Sequence, residues 1–265
     1  MQVYLDRDAT GYDKGVARWT RRLAEPYLDF LGLGSGERIL DVGCGTGSVT
    51  EVVLRRLPGG EVHGSDLSPE SIALLRRQVP DPRLHLHVAD ATRLPLPDRY
   101  FDRCLSMFVL SFCGPRGLAE KARVTRPGGW VSAAVPDFRD TSVMIRRLYD
   151  VAGAQTEYAG RLRLAILGAP MANPTRAAAE CRRLGLRQVE VVSLSAMVEY
   201  RDFEDCWSTL AIPQGPNGAM VACLPAQAQA EVKAALANAY LADEPDGPRR
   251  EEIAIWAVKG QVPAG

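Results

Sequence analysis

Residues 40–47, LDVGCGTG, are the part of this chain whose residue types and spacing bear most directly on chemistry. Gly43, Gly45 and Gly47 alternate with Cys44 and Thr46, and Asp41 stands two residues before the first glycine. Between a strand and a helix, such a loop turns sharply and lets the backbone approach a ligand closely. Two carboxylates follow at predicted strand ends: Asp66 in EVHGSDL and Asp90 in VADATRLP. Asp66 comes about twenty residues after the loop, where an acid can accept hydrogen bonds from both ribose hydroxyls. Each feature also has a plainer use. The glycines suit any tight strand–helix turn, Asp66 can cap a helix, and Asp90 can cap a loop. A nicotinamide or flavin fingerprint would read G-x-G-x-x-G. Counted from Gly43, its last glycine would fall on Ser48, so the spacing here departs from that pattern by one residue.

Taken together, these residues resemble the class I S-adenosylmethionine-dependent methyltransferases, closest to the small-molecule branch that includes the ubiquinone and menaquinone C-methyltransferases. The family pattern D-x-G-x-G-x-G is matched at Asp41, Gly43, Gly45 and Gly47. The resemblance implies S-adenosylmethionine as cofactor and S-adenosylhomocysteine as product. It implies that Gly43, Cys44, Gly45 and Gly47 wrap the methionine half, and that Asp66 and Leu67 serve the ribose. It places Asp90 and Ala91 beside the adenine. Met107 and Phe108, in FDRCLSMFVL, would reach the crevice by the methyl donor. Asp41 is expected to hold the loop by accepting backbone N–H groups. Tyr12-Asp13 resemble a Tyr-Asp pair that closes over the cofactor, with packing on the sheet edge as the other reading of Tyr12. EKARVTRPGGWV matches the family's helix–turn–strand, with Thr125 where Leu is usual. The matched region runs over about 36–137 and extends into the N-terminal helix.

The elements that must position these residues can be read from periodicity. Val16, Trp19, Leu23, Tyr27 and Phe30 recur at helical spacing over 15–31. Strands are predicted at 38–42, 61–67, 84–90, 100–108, 130–135, 188–194 and 252–258. Helices are predicted at 46–57, from Pro69 to about Val79 with Ser68 as N-cap, around 118–124, within 138–172, and at 173–184. The segment 195–248 reads as an insert with helices near 202–211 and 225–241, broken at IPQGPNG (212–218) and at 244–248. Strand and helix alternate with short Gly/Pro stops, which predicts an α/β fold: a mostly parallel sheet with helices on both faces. Family topology makes it a Rossmann-like seven-stranded sheet with the last strand antiparallel. One methyltransferase domain over 1–265 is expected. Its core would lie at about 36–137, 173–194 and 249–260, and its helical caps at about 1–31, 138–172 and 195–248.

Lys+Arg and Asp+Glu are both 32, so the formal charge is zero and gives no broad footprint for nucleic acid. No apolar run approaches the ~20 residues that span a bilayer, and the polar N-terminus does not read as a targeting signal. A small-molecule partner, no nucleic acid, no membrane and a cytoplasmic location are therefore expected, with the oligomeric state left open. The six cysteines form no C-x-x-C pair and are expected to be reduced and mostly buried. His85 and His87 share a strand face, but without a further ligand at suitable spacing they read as structural, as does His63, and no metal is expected. Methyl transfer is an in-line displacement in which placement supplies much of the acceleration. A base is needed only where the nucleophile must lose a proton, and Asp137, after the fifth strand, is the candidate. Trp207, Phe203, Tyr149 and Tyr158 lie in cap segments and suit either a substrate pocket or cap packing. Two rival functions remain: a cofactor-binding enzyme that catalyses cyclisation or rearrangement, and a non-catalytic regulatory protein.

Overall fold

The computed structural model describes residues 16–137, 142–212 and 215–264. Its strands are β1 (Arg38–Val42), β2 (Glu61–Asp66), β3 (Leu84–Val88), β4 (Phe101–Leu105), β5 (Thr125–Pro136), β6 (Arg187–Tyr200) and β7 (Arg249–Gln261). They form one sheet in the order β3-β2-β1-β4-β5-β7-β6. The first five run parallel, and β7 is antiparallel to both β5 and β6. This is the Rossmann-like α/β sheet expected from the sequence. Tyr12 and Asp13 lie outside the described residues.

The helices are α1 (Val16–Leu31), α2 (Ser48–Arg56), α3 (Pro69–Gln78), α4 (Leu110–Val124), α5 (Val143–Gln155), α6 (Glu157–Leu167), α7 (Pro174–Arg183), α8 (Phe203–Leu210), α9 (Gly215–Ala222) and α10 (Ala226–Leu241). β1 reads RILDV, almost without alternation, because helices bury both of its faces. Trp19, Leu23 and Tyr27 put one stripe of α1 into the core, where α1 packs on α2 and β6. Ser68 caps α3 as predicted: its Oγ accepts the Ser71 N–H at 3.1 Å, and Pro69 takes the first turn, where no N–H is needed.

The structure departs from the sequence reading in several places, each with a local cause. β3 ends at Val88, so Asp90 lies in the loop beyond the strand. β4 ends at Leu105, and only one further bridge, Met107 to Ala134, continues its line. Phe108 interrupts it with φ 64°, a left-handed backbone that no strand carries. α4 starts at Leu110 instead of near 118. A kink at Gly114 (φ 59°, ψ −156°) separates a short first segment from a second that begins with Pro115, so the Gly-Pro pair punctuates a helix instead of a loop. β6 runs on to Tyr200 against Arg249 of β7, so the inserted segment begins after 200 instead of at 195. The expected break at 212–218 gives way to α9 from Gly215, since Gly and Pro are tolerated in a helix's first turn.

All six cysteines are free, and four are buried. No helix among the described residues is long and apolar enough to cross a membrane.

Candidate functional site

β1 and β4 are neighbours in the sheet, while the chain runs outward from β1 through β2 to β3 and, on the other side, from β4 to β5. Open α/β sheets bind ligands at such a reversal, beyond the carboxyl ends of the strands. The residues singled out from the sequence lie after those ends: Gly43–Gly47 after β1, Asp66 closing β2, Asp90 after β3, and Met107 and Phe108 after β4.

The loop is left-handed at each glycine, with φ of 72° at Gly43, 53° at Gly45 and 97° at Gly47. A Cβ on Gly43 would lie 2.1 Å from Val109 Cγ2, and one on Gly47 would lie 2.3 Å from Leu75 Cδ1. Part of the glycine requirement is therefore internal packing. The contact with Val109 also draws the segment after β4 against the glycine loop. The N–H groups of Gly43 and Cys44 both donate to Ser65 O, at 2.6 and 3.0 Å, which fastens the loop to β2. Cys44 sends its side chain down into a small cluster with Ile72 and Leu75. Helix α2 starts with Gly47 at its N-cap and no side-chain cap, so its first turn faces the crevice without a side-chain acceptor.

Asp66 joins the two halves of this site. Its Oδ2 accepts the Gly45 N–H at 2.9 Å, and its Oδ1 accepts the Ser68 N–H at 2.9 Å. The Leu67 N–H also bonds to the carboxylate, so three backbone donors leave one of its about four acceptor sites open. Burial pushes its acidity weaker than an ordinary aspartate, against the pull of those backbone donors. Neighbouring Leu67 is exposed. Asp90 is exposed and accepts both the N–H and the Oγ1–H of Thr92 through Oδ1, at 2.7 and 2.8 Å, so it does cap its loop; Ala91 follows it, half-buried. Met107 is buried, and Phe108 is half-buried with its N–H on Ala134 O at 2.8 Å.

Asp41 lies beneath the loop, 1% exposed. It was expected to hold the loop's N–H groups; its acceptors instead hold Thr50, whose Oγ1 donates to Oδ2 at 2.7 Å and whose backbone N–H also bonds to it. Burial raises its pKa to about 7.

Asp137 is buried at the end of β5, with its N–H on Ala254 O at 3.1 Å. It lines a cavity of about 340 Å³ with Pro136, Leu167, Asn173, Arg176 and Trp256, among others. None of the glycine-loop residues, Asp66, Asp90, Met107 or Phe108 lines that cavity. Three of the four cap aromatics are packed. Tyr149 is buried with its hydroxyl on Asn217 Oδ1 at 2.9 Å, Phe203 and Trp207 pack on the main core, and Tyr158 is exposed. Sequence reasoning missed Val109, whose contact shows only in three dimensions, and Lys121. That lysine is 1% exposed and donates to Ser106 Oγ at 2.7 Å and Ser132 O at 2.8 Å.

Comparison with known proteins bears on the same segment. Residues 39–129 match the family described as Methyltransferase domain. The malonyl-[acyl-carrier protein] O-methyltransferase of Serratia marcescens is 40% identical over 130 residues, 47% of this chain and 48% of the relative. The demethylmenaquinone methyltransferase of Beutenbergia cavernae is 40% identical over 117 residues, 43% of this chain and 46% of the relative. The chain thus spans about half the length of the curated relatives it matches. In fold it is similar to phosphoethanolamine N-methyltransferase 2 of Haemonchus contortus, solved with S-adenosyl-L-methionine, with TM-score 0.57 and 17% identity over 91% of this chain and 52% of that one. The glycine loop and the carboxylate that clasps it both fall within residues 39–129, the segment that is similar to a methyltransferase domain.

Proposed function

We propose that this chain is an S-adenosylmethionine-dependent methyltransferase acting on carbon, oxygen or nitrogen of a small organic molecule. The observation that carries this reading is the clasp between Asp66 and the Gly45 N–H, which sets a carboxylate suited to ribose hydroxyls against the glycine loop. The residues present fit the cofactor. Asp66 keeps acceptor capacity for a ribose hydroxyl, the α2 N-terminus suits a carboxylate, and Asp90, Ala91, Met107 and Phe108 flank the remaining length. When bound, the cofactor supplies an electrophilic methyl group. The chain's own part is to hold the acceptor in line and keep water out, with the caps over 142–172 and 201–248 as roof. Asp137 is the candidate base for an acceptor that must lose a proton. The name of the demethylmenaquinone methyltransferase supports a small acceptor, that of the malonyl-[acyl-carrier protein] O-methyltransferase a small acyl group carried on a protein, and the zero net charge supports the absence of nucleic acid. Six free, mostly buried thiols suit a reducing compartment such as the cytoplasm.

The test is calorimetric titration of S-adenosylmethionine, S-adenosylhomocysteine and, as control, NADH into wild type and Asp66→Ala. We expect the first two to bind, NADH not to bind, and the substitution to weaken binding at least about tenfold, the cost of losing a charge-assisted hydrogen bond. Absence of binding by either sulfur ligand would overturn the reading. With an acceptor in hand, product mass decides the reaction: methyl transfer adds one CH₂, cyclisation or rearrangement adds nothing.

A further inference from the structure

The parallel register of β2 and β3 sets His63 opposite His85, and Ser65 opposite His87. All three histidines of the chain therefore meet on one sheet face, with Glu61 two residues before His63 on the same side. His85 and His87 alone make a poor metal signal; the ladder adds His63 and Glu61, which no sequence spacing reveals. The ligating atoms of Glu61, His63 and His85 all lie within 4.8 Å of one another. His63 Nε2 stands 3.5 Å from Glu61 Oε2. Zinc–nitrogen and zinc–oxygen bonds of about 2.0–2.1 Å in a tetrahedron put ligand atoms about 3.3–3.4 Å apart, so this pair is already close to coordination spacing. His85 is exposed, with its ring centroid 4.7 Å from that of His63.

A second observation points the same way. His63 is 9% exposed, and its Nε2 is buried with no hydrogen bond shorter than the 3.5 Å contact to Glu61 Oε2. Its other nitrogen, Nδ1, lies 3.0 Å from His87 Nε2. The two ring nitrogens of His63 thus face His87 on one side and Glu61 on the other. Glu61 is itself oriented: the Tyr100 hydroxyl donates to its Oε2 at 3.0 Å. Metal-bound histidines and carboxylates are held by outer partners of this kind.

We propose that Glu61, His63 and His85 form a binding site for Zn²⁺ or another late first-row divalent cation, which clips the edge strand β3 onto β2. Two imidazoles and a carboxylate suit such ions, and the fourth position would hold water. The site is independent of the proposed methyl transfer. It opens on the sheet face carrying His63, and Asp66, three residues along β2, points to the opposite face.

The test uses the full chain, stripped of metal with a chelator and kept in a non-thiol reductant. Zn²⁺ is titrated calorimetrically and Tm is followed, with Co²⁺ as a spectroscopic probe of tetrahedral coordination. We expect one equivalent to bind, and Tm to rise by about 5–10 °C at a hundredfold excess over Kd. His85→Gln, at an exposed position that leaves the core untouched, and Glu61→Gln should each weaken binding at least about tenfold and lose the Co²⁺ visible bands. No stoichiometric binding would overturn the proposal. So would unchanged affinity in both variants, because the metal would then sit on the cysteines.

Discussion

Asp41 is a buried carboxylate whose hydrogen bonds come from one residue, Thr50, and burial outweighs them. Its pKa, about 7 in the folded chain, lies above its unfolded value, so the native state binds this proton more tightly than the unfolded state does. The stability it contributes is complete below about pH 4 and is lost as pH rises through about 7. Over that window the loss is on the order of 4 kcal/mol, from about three pH units at 1.36 kcal/mol each. Asp41→Asn keeps the shape and removes the titration. Urea unfolding from pH 4 to 8 should show a fall in wild-type stability that is largely absent in the variant, which then becomes the more stable of the two at pH 8. Equal slopes in the two proteins would show that the ionisation of Asp41 is not what the fold opposes. At this scale the sequence was readable where residue type alone fixes the role. Gly43 and Gly47 take the left-handed turn, Asp66 closes β2, and Ser68 caps its helix, as their types predicted. Val109 and the His63 face were hidden because register and loop closure, not spacing along the chain, bring them to their neighbours.

Helix α4 is tied to the sheet by polar groups as well as by packing. Lys121 reaches between β4 and β5 to Ser106 Oγ and Ser132 O, and the Tyr27 hydroxyl of α1 donates to Ser132 Oγ at 2.9 Å. Thr125, where the family usually has Leu, belongs to the same polar set: its Oγ1 donates to Lys121 O at 2.6 Å. The hydroxyl adds a second bond to a carbonyl that already accepts the Thr125 N–H. Burial lowers the lysine's pKa, so the site opposes its charge, while its two bonds reward its nitrogen. Lys121→Met keeps the stem and loses the donors, and should cost about 1–3 kcal/mol through the unsatisfied acceptors. Lys121→Ala loses the stem as well and should cost more, by roughly 24 cal/mol per Å³ of cavity that remains. Equilibrium unfolding in urea checks the order of the two variants, and a Met variant less stable than Ala would contradict it. The buried lysine was not legible in the sequence, since in EKARV it reads as a solvated position on a helix. The Gly114-Pro115 kink and α9 were misread for a related reason: Gly and Pro mark both the ends and the starts of helices, and only tertiary packing decides which.

The expected division into core and caps has a consequence for the whole molecule. Residues of the inserted helices, Leu148 and Tyr149 of α5, Met220 of α9, Val232 and Leu236 of α10, share one buried cluster with Ile39 of β1, Leu105 of β4 and Ala257 of β7. Trp19 and Tyr27 of α1 belong to the same cluster. A roof built from the same apolar interior as the sheet cannot open without exposing that interior. We therefore expect the caps and the sheet to unfold together, in one cooperative transition. Leu236 is fully buried in α10, far along the chain from the glycine loop. Leu236→Ala should cost about 2–5 kcal/mol. The loss should shift the midpoint equally for far-ultraviolet circular dichroism, which follows every helix, and for tryptophan fluorescence, which follows Trp19, Trp130, Trp207 and Trp256 in core and cap alike. Two transitions, with only the earlier one moved by the substitution, would mean that the caps are a separate folding unit resting on an independent sheet. Substrate entry would then be an opening of that unit, whereas a single transition confines entry to local movement at the crevice, below the stability of the whole.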